Sequence, residues 1–231
     1  MNRILVLNVG DYWPTNARAS VRAAAARWDC EICEITTKLG APDIFAAKFR
    51  TGEFCHSQGR AMFLDADIVI HQDCPSPFDL VPDTHLGAVL NFQGDTHEGN
   101  HAIYQRPSWD KACEMIGSQL PYDPLRYING GMIVFSACHK EMFQMLAARV
   151  YDTHGVNEQA AFGVAIAQRL AVYLPREFNR VGPAVWESGP QMSAHCYHFA
   201  NYMQYRGTAN KADKIDRINW RSPRVGASGD L

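Results

Sequence analysis

No window of this 231-residue chain approaches the ~20 consecutive apolar residues needed to cross a bilayer as a helix. Near the start, Arg3 is followed by only Ile4-Leu5-Val6-Leu7 before Asn8, too short for the apolar core of a secretory signal. The expectation is a soluble, cytoplasmic protein without a transmembrane segment. An excess of one charge is also missing. The 22 basic and 24 acidic residues leave a net charge of −2, which gives no electrostatic basis for general nucleic-acid binding. There is no even cysteine framework: Cys30, Cys33, Cys55, Cys74, Cys113, Cys138 and Cys196 are odd in number and scattered. That pattern fits free thiols in a reducing compartment. Cys30-Glu31-Ile32-Cys33 has the spacing of a metal knuckle, but no second pair follows at zinc-ribbon distance. Internal repeats, low-complexity linkers and composition steps that would mark a second domain are all absent. Nothing in the sequence speaks to oligomeric state.

What is present suits a single α/β domain. Strands are expected over 3–9, 30–36 and 61–64, separated by an alanine-rich helix from a cap at Thr15 or Asn16 to about Trp28 and a helix over 42–54. This β-α-β-α-β opening predicts a parallel, Rossmann-like sheet with right-handed crossovers. Farther on, a strand is expected over 86–92 and a mobile loop over 91–106, rich in glycine, histidine and acids. A helix from Ser108 to about Ser118 follows. A strand over 127–135 is interrupted by Gly130-Gly131. Helices over 139–152 and 158–169, strands over 171–174 and 194–199, and a short helix over 211–220 complete the pattern. Residues 1–220 form the domain, and 221–231, rich in Gly, Ser and Arg, read as a flexible tail.

The run Phe63-Leu64-Asp65-Ala66-Asp67-Ile68-Val69-Ile70 carries the most chemistry. Its apolar part reads as a buried strand, and buried parallel strands end at ligand crevices. Asp65 and Asp67 alternate along an extended backbone and so share a face. Convergent carboxylates repel unless a positive charge lies between them. Mg²⁺ or Mn²⁺ held with a diphosphate answers that need. Taken alone, the same residues also fit a solvated strand end.

Further motifs follow in order. Val6-Leu7-Asn8-Val9-Gly10-Asp11-Tyr12 is a strand running into a polar turn that ends in tyrosine. Arg60 stands before the acidic run, and Asp73 and Pro77-Phe78-Asp79-Leu80 come after it. Then come Asn129-Gly130-Gly131 before an apolar strand, Asn157-Glu158-Gln159 at a helix start, Leu174-Pro175 with Phe178-Asn179, and His198-Phe199. In this order, over about residues 3 to 200, the chain resembles the family-8 glycosyltransferases, which include glycogenin-like and bacterial lipopolysaccharide galactosyl- and glucosyltransferases.

The resemblance implies a glycosyltransferase A-type fold, a mixed and mostly parallel sheet flanked by helices, and a UDP-sugar donor. It makes Asp65, Asp67 and His198 the ligands of Mn²⁺ or Mg²⁺. It places the nucleotide at Val9, Asp11, Tyr12, Arg60, Asp65 and Ala66, and the donor sugar beside Asn129 and Gly130. It gives the catalytic positions to Glu158 and Gln159, with retention at the anomeric carbon. Each motif also has a plainer reading: an ordinary turn tyrosine at Tyr12, a helix cap or ion pair at Arg60, a strand bulge at Gly130-Gly131, and helix-start capping at Glu158. His195 competes with His198, but on a strand the two face opposite sides.

The chain departs from the family at three points. Glu158 stands where the family has aspartate. Asn201 replaces a glycine, and the family's Lys-Pro-Trp triplet is missing. Arg206 and Lys211 lie close enough in sequence to hold the diphosphate instead. Trp109, Trp186 and Tyr202 are either sugar-stacking faces or core residues. The sequence leaves the acceptor open between a glycan, a lipid-linked sugar, a protein side chain and a modified base, with loop 91–106 as part of its wall. Two rival functions stay open. One is a nucleotidyltransferase, although Gly10-Asp11-Tyr12-Trp13-Pro14 lacks the glycine-rich basic run that holds a triphosphate. The other is a non-catalytic nucleotide- or carbohydrate-binding module.

Overall fold

Ile4 to Leu7 are buried without exception in the first strand, β1 (Asn2–Leu7). Successive side chains leave opposite faces. Ile4 and Val6 join one core, and Leu5 and Leu7 join another. A strand apolar on both faces belongs inside a sheet that is covered on both sides. Accordingly β1 lies between β2 (Cys30–Ile35) and β3 (Arg60–Asp65) and runs parallel to both. The computed structural model of the chain describes residues 1–91, 98–150, 157–181, 190–200 and 208–225.

The main sheet has six strands in the order β2-β1-β3-β6-β5-β7, with β5 at Leu86–Leu90, β6 at Ile128–Ser136 and β7 at Ala171–Leu174. Only β6 runs against its neighbours. The sheet is therefore mixed and mostly parallel, as expected. Helix α1 (Thr15–Arg27) packs Ala17, Val21, Ala24 and Ala25 on one face. On the other face lie α4 (Glu98–Ile116), α5 (Lys140–Arg149) and α6 (Glu158–Ala167), which bury residues such as Trp109, Phe143 and Phe162.

Several expectations need correction. The acidic run is not one strand. β3 stops at Asp65, Ala66 and Asp67 form a turn, and β4 (Ile68–Ile70) belongs to a second sheet of three strands with β8 (Arg180–Val181) and β9 (Cys196–His198). The helix expected over 42–54 is only α2 (Ile44–Lys48), capped by the Asp43 carboxylate accepting from Ala46 N at 2.8 Å, followed by a 3-10 turn at Thr51–Phe54. Pro14, not Thr15 or Asn16, precedes the first turn of α1.

Of the expected loop 91–106, residues 92–97 lie outside the described residues, and from Glu98 onward the chain is helix, with Pro107 inside it. Trp109, Ala112, Cys113 and Ile116 form a buried stripe that anchors the second half, and such anchoring extends a helix through residues of poor propensity. A short helix α3 (Pro77–Leu80) follows the second-sheet strand β4. The last helix, α7 (Thr208–Asp216), starts earlier than expected. The tail is not free over its first five residues: His71 Nε2 donates to the Ser222 carbonyl at 2.6 Å, and Val225 N donates to Met192 O at 3.0 Å. Among the described residues no helix is long and apolar enough to cross a membrane.

Candidate active site

The strands β1, β3 and β5 end on the same edge of the sheet, and β6 begins there because it runs the opposite way. Carboxyl ends of parallel strands are where open α/β sheets bind ligands. A cavity of about 810 Å³ lies there. β3 delivers Asp65 at its last residue, and the turn that follows brings Asp67 to the same place. The second sheet supplies the third group. β9 runs antiparallel to β4 with His198 opposite Ile68, and Phe199 N donates to Asp67 O at 3.3 Å, so this register sets His198 beside the turn.

His198 Nε2 is 3.4 Å from Asp65 Oδ2 and 3.3 Å from Asp67 Oδ1. One ligand atom from each of Asp65, Asp67 and His198 lies within 4.8 Å of the others. Asp67 Oδ1 is buried and has no hydrogen-bond donor aligned on it. Two carboxylates, an imidazole and an orphaned buried oxygen suit a divalent cation of the Mn²⁺ or Mg²⁺ kind. His195, the competitor, lies outside β9 with its ring 4.9 Å from that of Phe178.

Two lysines complete the electrostatics. Lys48 Nζ is 2.9 Å from Asp65 Oδ1 and 3.2 Å from Glu158 Oε1, and Lys211 Nζ is 2.6 Å from Asp67 Oδ2. Burial alone would lift the two aspartates. Lys48 and His198 outweigh it at Asp65, and His198 and Lys211 outweigh it at Asp67, so both stay below the usual carboxylate range. Burial alone would lower the His198 imidazole, yet Asp67 and Asp65 push it up to about 9. Burial likewise opposes the charge on Lys48, and Asp65 and Glu158 more than offset it.

Opposite the aspartates stands the start of α6. The Asn157 side chain caps this helix by accepting from Gln159 N at 3.0 Å, Gln159 Oε1 accepts from Gly130 N at 3.3 Å, and the Glu158 side chain is buried against Lys48. Gly130 lies in a bulge of β6, where Val89 faces Asn129 but Ala88 faces Ile133. A Cβ at Gly130 would come within 3.1 Å of Gln159 Cγ.

Most of the expected residues share the cavity wall: Val9 and Tyr12 from the first turn, Ala66 between the aspartates, Asn129 and Gly130 from β6, and Lys211 from α7. The Lys211 ammonium lies 5.5 Å from the Tyr12 ring centre. Burial, and then the Asp67 charge, push the Tyr12 phenol up to about 12.

Two expected residues are placed elsewhere. Asp11 is not on the cavity wall. It is exposed, in a left-handed conformation with φ of 53°, and pairs with Arg18 at 3.4 Å. Arg60 opens β3, at the far end of that strand from Asp65. It donates to Val81 O at 2.6 Å and pairs with Asp83 at 3.0 Å, so its role is to tie the turn before β5. Arg206, Trp186 and Tyr202 lie outside the described residues. Trp109 is buried in the core against Tyr122 and Tyr127.

Sequence reasoning missed Lys48, and it named Asn179 only within the Phe178-Asn179 motif without its contact to Asn129. Asn179 donates to Asn129 Oδ1 at 2.8 Å. The one local signal for Lys48 was a basic residue ending a helix capped by Asp43. Its partners lie far away in sequence.

No family model matches the sequence, and no curated protein matches it at a significant level. Solved structures do match the fold. A glycosyltransferase involved in the glycosylation of the major capsid of PBCV-1 aligns with a TM-score of 0.62 at 11% identity, over 94% of this chain and 99% of that one. The galactosyltransferase LgtC, in complex with donor and acceptor sugar analogs, gives 0.52 at 13% identity, over 96% and 98%. The glycosyltransferase GlyE of Streptococcus pneumoniae gives 0.54 at 9% identity, over 95% of this chain and 61% of that one. At these identities the likeness establishes the fold, which is the A-type fold of glycosyltransferases.

Proposed function

We propose that a chain with this fold and this constellation is a divalent-metal-dependent, retaining glycosyltransferase of the family-8-like kind. It moves a hexose from a UDP-sugar to a hydroxyl on a glycan, lipid-linked or protein acceptor. The observation that carries the reading is the convergence of Asp65, Asp67 and His198, facing Glu158 and Gln159 across one cavity. Asp65, Asp67 and His198 would hold Mn²⁺ or Mg²⁺, which supplies positive charge for the diphosphate that departs. Among the described residues Lys211 is well placed to share that task, since it already reaches Asp67.

In the transfer, the bond from the anomeric carbon to the diphosphate oxygen breaks and a bond to the acceptor oxygen forms on the same face. The acceptor proton passes to the departing phosphate oxygen. Lys48 holds the Glu158 carboxylate toward the cavity, where it can orient the sugar hydroxyls and balance an oxocarbenium-like charge. Gln159, fixed by Gly130 N, borders the same space. The rest of the rate comes from positioning. The odd, scattered set of seven cysteines supports a reducing, cytoplasmic setting.

The test is UDP release from a panel of UDP-sugars with Mn²⁺ present, with Asp67→Ala as control. Release that needs both the metal and Asp67 supports the proposal. Turnover of nucleoside triphosphates instead would make the protein a nucleotidyltransferase, and binding without any turnover would make it a binding module.

A further inference from the structure

We infer that Asn129 is a positioning residue for His198, and that Asn129-Gly130-Gly131 includes a socket for this imidazole. The inference rests on the metal-site reading above. Asn129 is buried, and its side-chain oxygen lies 2.9 Å from Gly131 N. A backbone N–H can only donate, so the acceptor is the amide oxygen and the side-chain flip is settled. Asn179 Nδ2 donates to the same oxygen at 2.8 Å. His198 Nδ1 lies 3.1 Å from it, and a nitrogen facing an acceptor must carry its proton there. Without a metal Nε2 also faces acceptors, Asp65 and Asp67, and carries a proton as well; a cation bound there would take the place of that proton and leave Nδ1–H on Asn129. Fixing a ligand histidine through its other nitrogen sets both its tautomer and its aim.

Gly131 supplies the space. A Cβ there would stand 2.3 Å from His198 Cε1 and 2.5 Å from Nδ1, closer than any real contact. The ring therefore occupies the volume that any other residue at 131 would fill. The Asn129 amide nitrogen donates to Asn91 Oδ1 at 3.3 Å, which steadies the carboxamide from the opposite side. Within this network the Asn129 oxygen serves the histidine and not the donor sugar, and Gly131 is a glycine because of His198.

The test measures Mn²⁺ affinity on the full chain by electron paramagnetic resonance, without nucleotide. Asn129→Leu should weaken binding by about 10–100-fold. Asn129→Asp, which keeps the acceptor oxygen, should recover most of it. Asn179→Leu, which leaves Asn129 in place, should give a smaller loss and keeps the test open if Asn129→Leu folds poorly. A second measurement needs no metal: the ¹H–¹⁵N resonance of His198 Nδ1–H should be protected from solvent exchange in the wild type, and should shift and exchange faster in Asn129→Leu. An Nδ1–H resonance unchanged in Asn129→Leu overturns the inference. So does wild-type affinity in Asn129→Leu. Absence of Mn²⁺ binding in the wild type, with the protected Nδ1–H present, would instead strike the metal-site reading and leave the socket standing.

Discussion

Lys48 stands 17 residues before Asp65 and 110 before Glu158, and it hydrogen-bonds to both carboxylates. Removing one partner of a buried ion pair leaves the others uncompensated, and here two carboxylates would face each other across the cavity floor. Asp65 keeps a fifth of its side chain exposed, which moderates the effect. Lys48→Met should therefore cost about 3 kcal/mol in urea unfolding, at the low end for breaking a buried pair. His198 makes the metal-free protein sensitive to pH. Its folded pKa of about 9 lies above the ordinary 6.5, because Asp67 and Asp65 outweigh burial. The stability it contributes is full below pH 6.5 and is lost as pH rises through about 9. Urea midpoints of metal-free protein should fall across that window, and His198→Gln should flatten the slope.

At the scale of elements, the site depends on parts that differ in how readily a sequence reveals them. β1, β3 and the start of α6 were legible because a continuous apolar run, or a capping asparagine before an acid, is a local signal. Of the second sheet, β9 falls within the strand expected over 194–199, but the pairing of β4, β8 and β9 into a sheet was hidden, because strands of two or three residues are too short for a period to emerge. His198 was still found by its motif, but its nearness to Asp67 follows from β9 pairing with β4, not from strand alternation. The first half of α4 was hidden because its glycine and histidine content reads as loop, and the buried stripe of the helix lies in its second half. The roles of Lys48 and Asn179 were missed for a related reason: they are defined by partners on other elements.

Helix α7 shows the same dependence. Asn16, on α1, donates to Ile215 O at 3.1 Å, accepts from Trp220 Nε1 at 2.8 Å, and has its backbone N bonded to Asp216 Oδ1 at 2.8 Å. These bonds anchor the helix that carries Lys211. Asn16→Ala should destabilise the protein by about 1–2 kcal/mol in chemical denaturation, since it removes three side-chain bonds, the third to Ile218 O at 2.5 Å, and strands the Trp220 N–H. An unchanged midpoint would mean that α7 is held by its apolar contacts alone.

Across the whole molecule, the two cores share one sheet, and the second sheet closes against one of them. The segment after Trp220 belongs to this assembly. His71 is fully buried, accepts from Asp73 N at 3.1 Å through Nδ1, and donates through Nε2 to Ser222 O. Ending the chain at Trp220 would leave that N–H unsatisfied beneath β4 and remove the Val225–Met192 bond. The thermal midpoint of such a truncated protein should fall by about 3–6 °C, and an unchanged midpoint would show the segment to be dispensable.

The function proposed for this assembly rests on a cation joining the carboxylates to a nucleoside diphosphate. Calorimetric titration of UDP into metal-stripped protein, with and without Mn²⁺, tests that directly. UDP should bind when Mn²⁺ is present and not when it is absent, and Asp67→Ala should abolish the difference. Equal binding in both conditions, or none in either, would contradict a metal-bridged diphosphate site at Asp65, Asp67 and His198.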